Sequence, residues 1–201
     1  MQEHVNDGYV KKAQQQGYRA RSAYKLEEID RKDGLLKQGI NVIDLGAAPG
    51  SWCQYAIKKT GKSGKLIAVD LLPIDPIKGV MIIEGDFTEE ETRKSISALL
   101  KGEEVDLVLS DMAPNITGIA SVDQARSSGL AEGVLDWSRA VLKPGGTLLV
   151  KVFQGAGFDE LRQQMLACFR SVAVRKPGAS RSRSAEVYLL ARDYRGKGGD
   201  I

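Results

Sequence analysis

Asn41-Val-Ile-Asp-Leu-Gly-Ala-Ala-Pro-Gly-Ser-Trp52 reads as a buried strand that runs into a glycine turn and opens a helix. That is the geometry of a nucleotide-type cofactor site. Gly46 and Gly50 permit close backbone approach, and the first turn of the new helix directs free N–H groups at the ligand. The phosphate-binding form of this turn requires G-x-G-x-x-G, whereas Ala48 and Pro49 stand at its third and fourth positions here, which disfavours a dinucleotide. About 20 residues past Gly50, a second apolar run, Lys65-Leu-Ile-Ala-Val-Asp70, ends in an acid, a spacing that suits hydrogen bonding to ribose hydroxyls. A ribose without a pyrophosphate points to S-adenosylmethionine. The plainer alternative is an ordinary strand–turn–helix with a chance terminal Asp.

Size and composition fit one enzyme-sized domain. The 201 residues are 42% hydrophobic, enough to bury a full core. No apolar run approaches the roughly 18 residues that a membrane span needs. Met1 to Val10 carries Glu3 and Asp7 around no apolar centre, so no targeting sequence is read there and a cytoplasmic location is expected. Cys53 and Cys168 fall on predicted helices without C-x-x-C spacing and read as reduced thiols in or near the core. The single histidine is His4, near the terminus, so neither Ser-His-Asp chemistry nor a metal site is expected.

Net charge is only +3, but the cations gather at the two ends. Residues 1–25 hold Lys11, Lys12, Arg19, Arg21 and Lys25, and residues 170–201 hold eight further Lys or Arg, among them Arg181 and Arg183. Brought onto one face, the ends would form a phosphate-binding surface, because counterion release rewards clustered cations. Taken singly, either cluster is as readily a solvated charge run.

The remaining chain alternates strand and helix. Ser22 is placed to cap a helix in which Ala23, Leu26 and Ile29 share a face. Further strands are read at 79–84, 105–110, 147–153, 171–175 and 185–191. Helices are read at 89–100, along Leu130, Val134, Trp137 and Val141, and along Phe158, Leu161, Met165 and Phe169. The fold class is therefore α/β, a Rossmann-like, mostly parallel seven-stranded sheet with helices on both faces, whose ligands bind beyond the strand C-terminal ends. Asp111 sits at such an end. Lys151 interrupts the apolar run Thr147–Phe153, and a lysine is almost never buried without a partner. Glu186 opens the last strand, and taken alone it reads as a surface acid.

At this point the residues match a family. Arg21-Ser-Ala-Tyr-Lys-Leu-Glu27, Asp44–Trp52, Gly85-Asp86-Phe87, Ser110–Asn115, Leu149–Phe153 and Arg181–Tyr188 together resemble the FtsJ/RrmJ-type ribosomal RNA large-subunit ribose 2′-O-methyltransferases, and the likeness covers nearly the whole chain. The resemblance implies a catalytic tetrad of Lys25, Asp111, Lys151 and Glu186. It implies S-adenosylmethionine contacts at Gly50, Trp52, Asp70, Asp86 (at the adenine) and Asp111, with Gly46, Pro49, Leu71 and Phe87 beside them. It further implies methylation of a uridine 2′-hydroxyl in large-subunit ribosomal RNA, RNA contacts at Lys11, Lys12, Arg19, Arg21, Arg181 and Arg183, and ribosome assembly as the setting. A monomer of one methyltransferase domain, residues 1–201, is expected, with residues 1–20 a basic, partly flexible extension.

In such a reaction the donor is already activated, so positioning supplies most of the catalysis. The hydroxyl proton goes to Lys151 on this reading. Lys25 and burial would lower the Lys151 pKa while Asp111 and Glu186 would raise it, and the sequence leaves the balance open. Base amino-methylation is disfavoured because Asp111-Met-Ala-Pro114 lacks the stacking aromatic of [ND]-P-P-[YF], and pyrimidine C5 methylation because no cysteine follows Pro114. The alternatives kept are a methyltransferase of transfer RNA or the messenger cap, a non-catalytic RNA-binding assembly factor, and a nicotinamide-dependent oxidoreductase.

Overall fold

The computed structural model describes residues 8–114, 117–180 and 184–196. The elements, in chain order, are α1 (Gly8–Gln15), α2 (Ala23–Asp33), β1 (Val42–Leu45), α3 (Ser51–Thr60), β2 (Leu66–Asp70), β3 (Met81–Glu84), α4 (Glu90–Leu100), β4 (Val105–Ser110), α5 (Ala120–Val141), β5 (Leu142–Phe153), α6 (Phe158–Cys168), β6 (Phe169–Arg175) and β7 (Glu186–Tyr194). The strands form one sheet in the order β3-β2-β1-β4-β5-β7-β6. β1 to β5 pair in parallel, and β7 enters antiparallel between β5 and β6.

Alternate strand residues feed two apolar cores, one on each face. Ile43, Leu45, Val69, Val108 and Val150 pack toward α4, α5 and α6, around Ile96, Trp137 and Met165. Val42, Ala68, Leu107, Leu109 and Leu149 pack toward α2 and α3, around Leu26, Trp52 and Ala56. Helices cover both faces, which is why these strands read as near-continuous apolar runs. Asn41 closes the lower edge of the sheet. Its Oδ1 accepts from Lys65 N (2.9 Å), its Nδ2 donates to Glu103 Oε2 (3.1 Å) and Glu104 O (3.0 Å), and its own N–H donates to Asp106 Oδ2 (2.8 Å).

One local expectation changes. Ser22 stands just before α2, but its backbone is already helical (φ −59°, ψ −21°) and it makes no capping bond; its Oγ pairs with Ser51 Oγ at 2.7 Å instead. The start of α2 is thereby tied to the start of α3. Within the N-terminal extension, α1 is a docked helix. Ala13 is buried against Tyr24, and the Tyr9 hydroxyl donates to Glu28 at 3.1 Å.

Buried Asp30 fixes α2 from the other end, where Oδ2 accepts from the Tyr55 hydroxyl of α3 and Oδ1 from Leu36 N, both at 2.8 Å. Removing a partner strands a buried donor at about 1–3 kcal/mol each. Asp30→Ala should therefore lower unfolding free energy by about 2 to 4 kcal/mol in urea titrations, and Tyr55→Phe by about 1 kcal/mol.

Candidate active site

In a sheet with parallel strands the C-terminal ends share one edge, so Asp70 (β2), Asp111 (after β4) and Lys151 (β5) are brought to the same side. β7 runs antiparallel, and its first residues therefore reach that edge too, with Glu186 opposite Phe153 and Tyr188 opposite Lys151. α2 supplies Lys25 from above the sheet.

These residues form one compact cluster. Lys151 Nζ donates to Asp111 O at 2.5 Å and lies 3.1 Å from Asp111 Oδ1. Lys25 Nζ is 2.6 Å from Glu186 Oε1 and 3.9 Å from Asp111 Oδ1. Ser180 Oγ also donates to Glu186 Oε1, at 3.1 Å. Between the two ion pairs stands Tyr188, fully buried, whose hydroxyl is 2.6 Å from Asp111 Oδ1 and 3.4 Å from Glu186 Oε1. Its ring packs on Trp52 (5.8 Å between centroids) and under Lys25 (5.9 Å). Burial, with the two carboxylates, holds the Tyr188 hydroxyl pKa far above its ordinary value. Burial alone would raise the Glu186 pKa; the hydrogen bond and charge of Lys25, with Lys151 and Ser180, outweigh it and hold the carboxyl below its usual range. The structure thus brings Lys25, Asp111, Lys151 and Glu186, which the resemblance groups as a tetrad, into one cluster. Tyr188 carries no such signal in the sequence, where a tyrosine inside an apolar strand reads as core.

Beside the cluster opens a cleft of about 700 Å³, lined by Gly46, Asp70, Leu71, Asp86, Phe87 and Asp111 among the expected cofactor contacts. Met112, Pro114, Arg126 and Leu130 line it as well; Leu130 had been read only as part of a core stripe. Pro49, Gly50 and Trp52 stand outside its wall, at the start of α3. The Trp52 side chain is buried, with Nε1 donating to Ser22 O at 2.8 Å. The glycines make room for protein groups. A Cβ on Gly46 (φ +75°) would lie 2.1 Å from Met112 Cγ, and one on Gly50 (φ +100°) 2.6 Å from Ile77 Cδ1 and 3.0 Å from the Arg19 guanidinium. A slightly larger cleft, about 770 Å³, opens between α4 and α5 and contains none of these groups.

Asp70 is held rigidly, Oδ2 accepting from Ala48 N and Oδ1 from Leu72 N, both at 2.8 Å. Asp86 Oδ1 accepts from Thr88 N (2.8 Å) and Oγ1 (2.7 Å). Behind the turn, Asp44 is 1% exposed; its Oδ2 accepts from the Cys53 thiol at 3.1 Å and its Oδ1 has no partner among the described residues. Burial, together with Asp111 and Asp70, raises the Asp44 carboxyl to about 7. A cleft walled by Asp70, Asp86 and Asp111, with a further acid buried behind it, suits a cationic ligand bearing hydroxyls.

The expected RNA contacts divide. Lys11 and Lys12 are exposed on α1. Arg19 turns inward: its guanidinium donates to Pro49 O (2.9 Å), Asp75 O (2.8 Å) and Pro76 O (3.1 Å), clamping the cofactor-side turn. Arg21 donates to Ala179 O at 2.6 Å. Arg181 and Arg183 lie outside the described residues.

The FtsJ-like methyltransferase pattern matches residues 18–194, every element from α2 to β7. The chain belongs to this family. Among its relatives, a protein of an Azoarcus species named ribosomal RNA large subunit methyltransferase E is 58% identical over 97% of this chain and 95% of its own length. A Legionella pneumophila protein of the same name is 52% identical over 96% and 94%. A crystal structure from Plasmodium falciparum, named as a ribosomal RNA methyltransferase, superposes with a TM-score of 0.82 at 29% identity, covering 90% of this chain and all of the other. The family is one of methyltransferases, which draw their methyl group from S-adenosylmethionine in general. An oxidoreductase is thereby set aside.

Asp44 yields a test that needs no substrate. Its pKa is near 3.8 when exposed and about 7 when folded, so the folded chain binds the extra proton and stability falls as pH rises through that window. At about 1.36 kcal/mol per unit, the loss between pH 5 and pH 8 is about 3 kcal/mol. Asp44→Asn, which still accepts from Cys53, should remove that loss. The stability difference between variant and wild type should grow with pH, as read by denaturant titration.

Proposed function

We infer that this protein is an S-adenosylmethionine-dependent enzyme of one domain, residues 1–201. On this reading it acts as a monomer in the cytoplasm and methylates the 2′-hydroxyl of a uridine in the RNA of the large ribosomal subunit. The observation that carries the reading is the tetrad of Lys25, Asp111, Lys151 and Glu186 gathered at the mouth of an acidic cleft. The names borne by relatives at 52% and 58% identity over nearly full length support the same substrate.

The residues present fit the cofactor. Asp70 would take the ribose hydroxyls, since its two amide bonds fix the carboxylate in one orientation. Asp86 would meet the adenine edge, with Leu71 and Phe87 beside the ring and Gly46 at the other end; Pro49 and Gly50 complete the turn behind the cleft, and buried Trp52 in the first turn of α3 supports it. Asp111 and buried Asp44 would balance positive charge. Bound there, S-adenosylmethionine supplies a methyl group already activated on a sulfonium.

Lys151 acts on the proton. To accept the hydroxyl proton Lys151 first gives up one of its own to solvent, which leaves the amine two N–H bonds and one lone pair. Asp111 provides an acceptor for each of those N–H groups, its carbonyl oxygen at 2.5 Å and Oδ1 at 3.1 Å, which leaves the lone pair for the 2′-hydroxyl. Lys25 holds Glu186 in an ion pair of its own, so Asp111 remains the partner of Lys151. Lys151 returns the proton to solvent after transfer. Most of the rate comes from the fixed orientation of these groups, because the donor needs no further activation.

Lys151→Ala should abolish methyl transfer while leaving S-adenosylmethionine affinity within a few fold. Retention of more than about a tenth of wild-type turnover would overturn the base assignment, since positioned proton transfer contributes roughly 10² to 10⁴ in rate. Asp70→Asn should weaken calorimetric S-adenosylmethionine binding by about 1.5 to 3 kcal/mol, the range for hydrogen bonds to a charged group. For the substrate, purified enzyme is offered large ribosomal subunits from cells lacking the gene, the RNA extracted from them, and transfer RNA. Ribosomal methylation alone is expected. Equal methylation of transfer RNA would move the assignment to that substrate.

A further inference from the structure

The aromatic side chains between α1, α2 and α3 carry two cations on one continuous strip. Lys12 Nζ lies 4.3 Å from the centre of the Tyr24 ring, and Lys58 Nζ lies 4.3 Å from that of Tyr18. The two rings meet edge to face at 5.8 Å. Tyr9 packs on Tyr24 from the other side at 5.6 Å, and Tyr24 itself is buried. The rings therefore form a fixed floor, and the two ammonium groups are held no farther apart than those three distances laid end to end. Both lysines are exposed, and neither forms an ion pair among the described residues. Cation–aromatic contact is attractive, so it favours these positions while leaving the charge of each lysine unneutralised.

The strip adjoins the active site through α2. Tyr24 and Lys25 are consecutive, so they project about 100° apart on the helix; Tyr24 faces α1 and Lys25 faces Glu186. Lys58 belongs to the last turn of α3, at the far end of that helix from the cofactor turn, so the strip reaches the active site through Tyr24 and not through α3. Meanwhile the two arginines nearest in sequence, Arg19 and Arg21, direct guanidinium nitrogens onto backbone carbonyls. Two carboxylates reach this floor: Glu27, whose charge raises the Tyr24 hydroxyl pKa after burial does, and Glu28, which accepts from the Tyr9 hydroxyl at 3.1 Å.

We propose that Lys12 and Lys58, aligned on the Tyr24–Tyr18 floor, form the phosphate-binding track that leads substrate RNA to the tetrad. Lys58 thus joins the RNA surface, whereas Arg19 serves the cofactor turn. The track rests on the RNA-methylating reading given above. An exposed lysine that meets a phosphate releases a counterion. Each such contact lowers the slope of log affinity against log salt by about 0.7 to 0.9 when it is lost, which is about fivefold in affinity at 0.1 M salt.

The test titrates wild type, Lys12→Gln, Lys58→Gln and the double variant across salt concentrations. The ligands are large ribosomal subunits from cells lacking the gene and protein-free RNA extracted from them. Lys94→Gln, on α4 across the sheet, is the control, and calorimetry with S-adenosylmethionine checks the site. Each single variant should lose about fivefold in affinity and about 0.7 to 0.9 in slope on both ligands, the double variant about twice that slope, with cofactor affinity and Lys94→Gln unchanged. An unchanged slope for Lys58→Gln against a wild type that binds normally would overturn the track alone. Loss on subunits but not on bare RNA would make the partner a ribosomal protein and also overturn it. A wild type that binds neither ligand removes the substrate reading and the track together.

Discussion

Two lysines and two carboxylates held within a few ångströms around a buried tyrosine hydroxyl constrain much of this structure. Charges withdrawn from water at the edge of an apolar core are costly unless each meets an opposite partner and a full set of hydrogen bonds. Here each ion pair joins different elements: Lys25 of α2 with Glu186 of β7, and Lys151 of β5 with the turn after β4. The reversed strand β7 is what allows a residue from its beginning to stand at an edge otherwise made of strand ends. Tyr188 occupies the centre because its ring can lie in the core on Trp52 while its hydroxyl serves Asp111.

The same requirement accounts for the attention given to α2 by its surroundings. Ser22 is bonded to Ser51, Asp30 to Tyr55 and Leu36, and Glu28 to Tyr9, Gly178 N and Ala179 N. A helix fixed at its start, middle and end delivers Lys25 in one orientation, and positional error of about an ångström is what a reaction driven by orientation tolerates least. Glu28 and Arg21 both reach the 178–180 turn that precedes β7, so the helix and the strand carrying its ion-pair partner are registered to one another directly.

Electrostatics separates the two halves of the site. The cofactor side is walled by acids, with Asp44 buried behind them and its carboxyl raised to about 7. The approach from α1 and α3 carries exposed lysines on tyrosine rings. On the proposed reading a cationic donor and a polyanionic acceptor would be directed to different walls, with the tetrad, two positive and two negative groups, at the boundary.

The fold and two members of the tetrad, Asp111 and Lys151, were legible because they are written in local pattern, whereas Lys25 and Glu186 came from the family resemblance alone. Apolar runs of strand length, each followed by a helical stripe, give a parallel sheet; the acids at the ends of β2 and β4 and the lysine inside β5 are anomalies that only a site explains. Asp70, Asp111 and Lys151 follow from that reading without further information. What the sequence could not assign was the direction and partner of a side chain. Arg19 reads as a solvent-facing cation, yet three carbonyls from the cofactor turn and the segment after β2 converge on it. Gly46 and Gly50 read as openings for a ligand, yet the space beside them faces Met112, Ile77 and Arg19. Tyr188 reads as core, and Lys58 as one solvated lysine among many. In each case the deciding neighbour is far away along the chain, and only tertiary packing chooses which distant group stands beside it. Sequence thus determined the elements, their order and the residues out of place within them; the folded chain decided which charges are paired and which are left for a ligand, because pairing depends on distance in space.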